Sequence, residues 1–115
     1  MPEKDIEKLI ADFHLCWDHF PGPARLIDRS NTILAANEAA ARAGFKAGLT
    51  CSRVGTPESH RGCRKWKALQ EKEPQIDRPS ENRIREWLPV DGFPDIVIHF
   101  SLTLPAVNES SETTS

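Results

Sequence analysis

Apolar residues recur at two different spacings along this chain of 115 residues, and the change of spacing divides it into elements. From Pro2 to Phe20 they recur every three or four residues, which predicts an amphipathic helix. Its apolar stripe consists of Ile6, Leu9, Ile10, Phe13, Trp17 and Phe20. Leu15 points away from that stripe. The following Pro-Gly-Pro at 21–23 ends the helix and redirects the chain.

The next segment predicts a hairpin and a short helix. Residues 24–28 and 32–36 are short, mostly apolar runs, and the turn-forming sequence Arg-Ser-Asn lies between them. Asn37 then stands at the position of a helix N-cap, where its side-chain oxygen can accept from a free backbone amide. Glu38 to Ala43 is nearly all alanine, and Gly44 is expected to close this helix.

The second half of the chain predicts one more helix and three strands. Residues 46–62 contain Gly and Pro breakers and predict only short helical turns and loops. A helix is expected from Cys63 or Arg64 to Glu73, followed by strands at 75–77, 83–90 and 95–104. In the last strand five apolar residues alternate with other residues: Ile96, Ile98, Phe100, Leu102 and Leu104. Asp91 and Gly92 predict a turn, which the following Phe-Pro is expected to lengthen.

This order of elements predicts an α+β fold with a five-stranded antiparallel sheet, helices on one face, and an N-terminal flanking amphipathic helix. The run at 25–45, R-L-I-D-R-S-N-T-I-L-A-A-N-E-A-A-A-R-A-G-F, resembles the opening of a PAS domain, in which x-x-I-D-x-x-G-x-I-x-x-x-N-x-A-A is familiar. Asn31 stands where that family often has a turn glycine. An ordinary hairpin and helix would share the local pattern, and the later elements favour the PAS-like interpretation. The resemblance implies a flanking helix at 1–20 and a PAS-like domain at 21–105, before a polar, disordered tail at 106–115.

The composition limits which binding partners and which cellular compartment we expect. Seventeen acidic and fifteen basic residues give a net charge of −2, so there is no electrostatic reason to propose binding to nucleic acid or to a membrane. No apolar run approaches the ~20 residues of a membrane span. Three cysteines without a secretory signal indicate a reducing compartment. We therefore expect a cytoplasmic protein, or a cytoplasmic fragment of a larger one.

The resemblance implies a bacterial sensory module for signal transduction. Such a module dimerises and holds a small ligand between its sheet and helices, or binds a partner, to regulate an output protein on another chain or in a missing effector domain. The residues expected in a homodimer interface are Ile6, Leu9, Ile10, Phe13, Leu15 and Trp17. Those expected around a ligand cavity are Trp66, Leu69, Leu88, Ile98 and Phe100, for which plain core packing is the alternative. Trp87 and Arg85 are expected on the opposite face from Leu88.

The candidate chemistry is concentrated in Cys51, His60 and Cys63. Two thiolates and an imidazole suit zinc or another soft metal. The segment also resembles a pattern of some PAS domains, approximately G-x-x-C-Y…C-x-G-C-P, with His60 in place of a cysteine. Several interpretations stay open: a zinc or iron–sulfur centre, non-covalent haem with His60 as axial ligand, a reversible disulfide, or simple packing of the cysteines with no cofactor. No enzymatic activity is expected, because no orienting third group accompanies Cys63 with His60 or His99.

Overall fold

The computed structural model describes residues 3–54 and 62–105. The strands are β1 (Ala24–Asp28), β2 (Ile33–Ala36), β3 (Gln75–Ser80), β4 (Arg83–Val90) and β5 (Phe93–Thr103). The helices are α1 (Glu3–Trp17), α2 (Glu38–Arg42) and α3 (Lys65–Glu71), and a single 3-10 turn spans Cys51–Arg53. The strands form one five-stranded antiparallel sheet in the order β2-β1-β5-β4-β3. The predicted α+β architecture is confirmed.

Helices cover both faces of this sheet. Successive residues of a strand point to opposite faces, so Ile96 and Val97 in the central strand β5 belong to different hydrophobic clusters. The cluster around Ile96 receives α1, whose Phe13 is 2% exposed. The cluster around Val97 receives Ala68 and Leu69 of α3. The apolar stripe of α1 therefore covers the chain's own sheet.

Two strands extend beyond their predicted bounds, and each does so through a proline. The turn after β4 is a two-residue connection, because Phe93 pairs with Val90 and Gly92 adopts a φ of +82°. Pro94 fits in β5 because the register shifts next to Val90, where no regular ladder requires an amide donor. Similarly, β3 runs through Pro79 to Ser80, at a register shift between Asp77 and Ser80.

Some expectations concern residues outside the described ranges. These are the position of His60 and the disordered tail at 106–115. Among the helices that the structure describes, none combines the length and the apolar character needed to cross a bilayer.

Candidate functional site

A row of buried side chains crosses the sheet on the face that α3 covers. Arg25 pairs with His99, His99 pairs with Trp87, and Trp87 pairs with Gln75, across four neighbouring strands. Directly opposed residues share a face of the sheet. All four side chains are buried, although three of them are charged or polar. We refer to Arg25, His99, Trp87 and Gln75 as the polar row.

His99 is held in one protonation state and one orientation. Its ring stacks on that of Trp87, with centroids 4.6 Å apart and 3° between the planes. Its Nδ1 lies 2.9 Å from the carbonyl oxygen of Glu86. Burial, and then the charge of Arg25, hold the pKa of His99 well below its usual value, so the ring is neutral. Because a carbonyl oxygen only accepts, Nδ1 carries the proton and Nε2 carries the lone pair.

Two donors of the polar row are buried without an acceptor. The Arg25 guanidinium carbon lies 4.0 Å from the centroid of the Phe45 ring, and its Nε has no hydrogen-bond partner among the described residues. The Nε1 of Trp87, a residue with 0% exposure, likewise lacks a partner within those ranges. A buried donor without a partner costs about 1–3 kcal/mol, more when it is charged. Both groups would therefore gain from an acceptor that a ligand supplies.

The other buried cations near the polar row already have acceptors. Arg85 donates from Nε to Oδ1 of Asp77 at 2.9 Å and from Nη2 to Oδ2 of the same carboxylate. Lys65, in the first turn of α3, donates to the carbonyl oxygens of Asp28 and Arg29 and to Oδ1 of Asn31. These contacts fasten α3 to the turn between β1 and β2.

A cavity of about 190 Å³ lies between the sheet and α3. Its lining includes Cys51, Cys63, Lys65, Trp66, Trp87 and His99. Trp66 is 53% exposed, so one edge of the cavity reaches the surface. Sites for drug-sized ligands have volumes of roughly 300–1,000 Å³. This cavity can therefore take only a small molecule.

A wider depression of about 470 Å³ lies elsewhere, between the start of α1 and the β1–β2 turn. Its charged groups satisfy each other, since Arg29 Nε lies 2.7 Å from Oδ1 of Asp95. Among the described residues that line this depression, no buried side-chain donor lacks a hydrogen-bond partner. We therefore place the candidate site at the smaller cavity.

The structure divides the predicted cavity residues between the two faces of the sheet. Trp66 lines the cavity, and Leu69 packs in the cluster beneath α3. In contrast, Ile98 and Phe100 pack against the cluster that α1 covers. Leu88 pairs with Ile98 and shares its face. The expectation that these three residues face α3 is therefore corrected: α1 covers the more apolar face of β5.

Two residues that were not expected at the cavity also line it. Trp87 and Arg85 do lie on the opposite face from Leu88, and both line the cavity. Sequence alternation had assigned this face to helix docking or solvent, because Arg and His in a strand are usually exposed. A usable signal was present in the apolar residues of the helices. The stripe of α1 is larger than the short apolar face of α3 and fits the larger apolar face of the sheet.

Two of the three predicted metal ligands line the same cavity. Cys51 is buried and Cys63 is exposed, and both thiols are free. Burial raises the pKa of the Cys51 thiol, an effect that the charge of Arg25 opposes. Within residues 3–54 and 62–105, no three His, Cys, Asp or Glu side chains are grouped as a metal site would require. With His60 outside these ranges, the metal site stays a prediction.

The predicted dimerisation residues also separate into two groups. Phe13 is buried against the sheet, and four residues of the stripe pack around it: Ile6, Leu9, Ile10 and Trp17. Leu15 is 84% exposed on the outer side of α1. Of this set, Leu15 is the residue whose apolar surface is left to solvent.

Two solved structures share this architecture. A sensory box sensor histidine kinase from Vibrio cholerae has a TM-score of 0.63 and 13% sequence identity, over 91% of this chain and 97% of that one. The PAS domain of BvgS from Bordetella pertussis has a TM-score of 0.58 and 17% identity, over 96% of this chain and 94% of that one. No family model and no curated protein matches the sequence.

These similarities define the class of the domain. It is an α+β domain in which one antiparallel sheet is covered by α1 on one face and by α3 on the other. The fold is PAS-like, as the sequence resemblance predicted.

Proposed function

We propose that this chain is a non-catalytic sensory module for signal transduction, in which a small ligand between the sheet and α3 regulates an output protein. The observation that carries the proposal is the cavity of about 190 Å³ on the α3 face, with buried polar groups in its wall. The likeness in fold to the sensor kinase from Vibrio cholerae adds support.

The proposal is tested by native mass spectrometry of the purified protein. We expect a mass above that of the polypeptide, which is released on denaturation. Cys51→Leu places a larger apolar side chain in the cavity and should lose this mass. The matched control is Cys16→Leu, at an exposed position of α1, which should retain it. A wild-type spectrum without added mass, together with no binder in a small-molecule screen, would leave a ligand-free interaction domain instead.

In this proposal, α1 transmits the effect of ligand binding to a partner. Because the apolar stripe of α1 is occupied by its own sheet, a homodimer interface has to use the outer side of the helix. That side includes Leu15, which is 84% exposed. A ligand that shifts the sheet would shift α1 against its partner, since α1 packs directly on that sheet.

A second candidate function is a metal or redox response, because Cys51 and Cys63 line the same cavity. A disulfide between them requires Cα atoms within ~7 Å. Mild oxidation of a Cys16→Ser variant, followed by thiol counting under denaturing conditions, should then remove both remaining thiols without dimer formation. Elemental analysis for zinc and an absorption spectrum taken without oxygen test the metal version. Unchanged thiols together with a colourless, metal-free protein would eliminate this function.

A further inference from the structure

We propose that the ligand of the α3-face cavity is a small monocarboxylate, whose oxygens accept from the indole N–H of Trp87 and neutralise the guanidinium of Arg25. This inference rests on the proposed function, since it names the chemical class of ligand for the same cavity. It starts from the cations at and beside the cavity, of which Arg25 has neither an anion nor a hydrogen-bond acceptor for its Nε among the described residues.

Arg85 and Lys65 line the cavity and Arg25 lies beside it, and the three cations differ in whether their hydrogen bonds and charge are met. Arg85 has a carboxylate, because Asp77 accepts two of its hydrogen bonds. Lys65 donates to three neutral oxygens, so its hydrogen bonds are met. Arg25 is 5% exposed, and among the described residues its charge contacts only the face of the Phe45 ring. An isolated buried charge is costly unless it is paired, and an anion is the partner that would offset this cost.

The neighbours of Arg25 within the described ranges do not supply that anion. His99, its partner on β5, is neutral. Cys51 is close enough for its charge state to depend on Arg25, but burial is the larger effect and raises its pKa, so the thiol stays protonated. The carboxylate of Asp28 accepts from the amides of Ser30 and Thr32 in its own turn. The positive charge of Arg25 is therefore available to a ligand.

Trp87 supplies the second donor in the same row. Its Nε1 is buried and without a partner in the described part of the chain, and the residue lines the cavity. Arg25 and Trp87 lie on either side of His99, two strands apart, which separates their backbones by about 10 Å. Arg25 is not itself in the lining, but its charge acts on Cys51 and Cys63, which are, so the guanidinium lies beside the cavity wall. In this inference the carboxylate of the ligand meets Trp87 in the lining and Arg25 beside it.

The size and lining of the cavity favour a carboxylate over a larger or more highly charged anion. The guanidinium of Arg25, whose Nε has no acceptor among the described residues, matches a single negative charge. The volume of about 190 Å³ leaves little room beyond a short chain or one ring. Ile27 and Trp66 in the lining offer apolar surface for the rest of such a molecule. Carboxylate geometry also suits the paired N–H groups of a guanidinium.

The test compares three acids with their amides, which have nearly the same shape and no charge. Propionate, butyrate and benzoate, and then propionamide, butyramide and benzamide, are titrated into the purified protein by isothermal calorimetry in a buffer without chloride. We expect at least one acid to bind at least tenfold more tightly than its amide. Trp87→Phe, which keeps an aromatic ring but removes the N–H, should weaken the acid more than its amide, because a hydrogen bond to a charged oxygen is stronger than one to an amide oxygen.

Arg25→Met provides the decisive variant, because it removes the charge and keeps the length of the side chain. It should abolish acid binding, yet the protein without ligand should melt at the same temperature as the wild type or higher, since an unpaired buried charge is lost. Arg29→Met is the control, at an exposed position beside Asp95, and should retain acid binding. A melting temperature lowered by Arg25→Met would show that Arg25 has an internal partner and would overturn the inference.

The remaining outcomes separate this inference from the proposed function. If the amides bind as tightly as the acids, the carboxylate inference is overturned and the sensory proposal stays intact. The same holds if none of the six probes binds while native mass spectrometry still shows a bound molecule. A failure of all six probes with no bound molecule would overturn both.

Discussion

Asn37 joins three parts of the molecule through one buried side chain. Its Oδ1 accepts from the amide of Ala24, at the start of β1, at 3.0 Å and from the amide of Ala40, in α2, at 2.9 Å. Its Nδ2 donates to the carbonyl oxygen of Trp17, at the end of α1, at 3.0 Å and to that of Gly22 at 2.9 Å. Asn37 is 0% exposed. It therefore links the helix proposed to carry the signal to the sheet that forms the ligand cavity.

Asn37→Ala should reduce the free energy of unfolding by about 3–5 kcal/mol. Loss of an N-cap by itself costs about 0.5–2 kcal/mol. The amide of Ala24 and the carbonyl oxygen of Gly22 would be left without partners, at about 1–3 kcal/mol each, less whatever a water in the vacated space restores. The carbonyl oxygen of Trp17 would still accept from the amide of Phe20. A typical domain is stable by about 5–15 kcal/mol, so this single change would remove a large part of the total.

Asn37→Asp tests the two hydrogen bonds that Asn37 donates separately from the two that it accepts. It keeps both acceptor contacts and is an equally good N-cap. It loses both donors and turns a carboxylate oxygen toward the carbonyl oxygens of Trp17 and Gly22. We expect a loss of about 2 kcal/mol or more, because two buried acceptors then face a negative charge.

Urea unfolding followed by far-ultraviolet circular dichroism measures both variants. Asn82→Ala is the control, since Asn82 donates to the carbonyl oxygen of Leu104 at 2.9 Å in an exposed position, and its loss should cost about 1 kcal/mol. If Asn37→Asp unfolds at the wild-type urea midpoint, the contacts to Trp17 and Gly22 contribute nothing to stability. The reasoning that Asn37 couples α1 to the sheet would then be refuted.

Three further predictions concern His99, Gly22 and Leu15. The pKa of His99 is lower in the folded chain than in the unfolded chain, so below about pH 6.5 the unfolded chain binds a proton that the folded chain does not. The free energy of unfolding therefore falls as the pH drops below about 6.5. Urea titrations across this range should show a smaller fall for His99→Gln than for the exposed control His19→Gln. Gly22→Ala would place a Cβ 2.0 Å from the carbonyl oxygen of Ser101 and should lower the unfolding free energy by about 2 kcal/mol or more in the same assay. Leu15→Glu should convert the proposed dimer to monomer in sedimentation velocity at an unchanged melting temperature; a dimer that persists contradicts the proposed interface.

Local rules predicted the elements whose determinants lie within a few residues. The N-cap at Asn37 is confirmed by its bond to Ala40, and β1 and β4 have the predicted bounds. The same rules could not reveal the bonds of Asn37 to Trp17 and Gly22, which are 20 and 15 residues away. Nor could they give the two-residue turn before Phe93, because the register shift that accommodates Pro94 depends on pairing with β4.

Predicting which helix covers each face of the sheet required information that the alternation of apolar residues does not contain. The pattern of β5 separates Ile96 and Ile98 from Val97 and His99, but it does not say which helix covers each set. That choice depends on the total apolar area of each helix. α1 has a stripe several turns long, whereas the described apolar contacts of the short α3 come from Ala68 and Leu69. Matching the apolar area of each helix to the apolar area of each sheet face would have assigned α1 and α3 to the correct faces. The order of the helices along the chain does not contain this information.

The polar row could not be predicted as buried, because a strand position with Arg or His is ordinarily exposed. The burial of Arg85 is nevertheless explained within the described structure, since Asp77 lies opposite Arg85 on β3 and neutralises its charge. Arg25 has no such explanation among the described residues. An apolar side chain at position 25 would pack against Phe45 without the desolvation cost of a charge, so stability alone favours replacing this arginine. Where a sequence violates a packing rule without an internal compensation, a functional site is the expected cause. The buried charge at Arg25 thus indicates a partner outside the described residues, and we propose that this partner is the ligand.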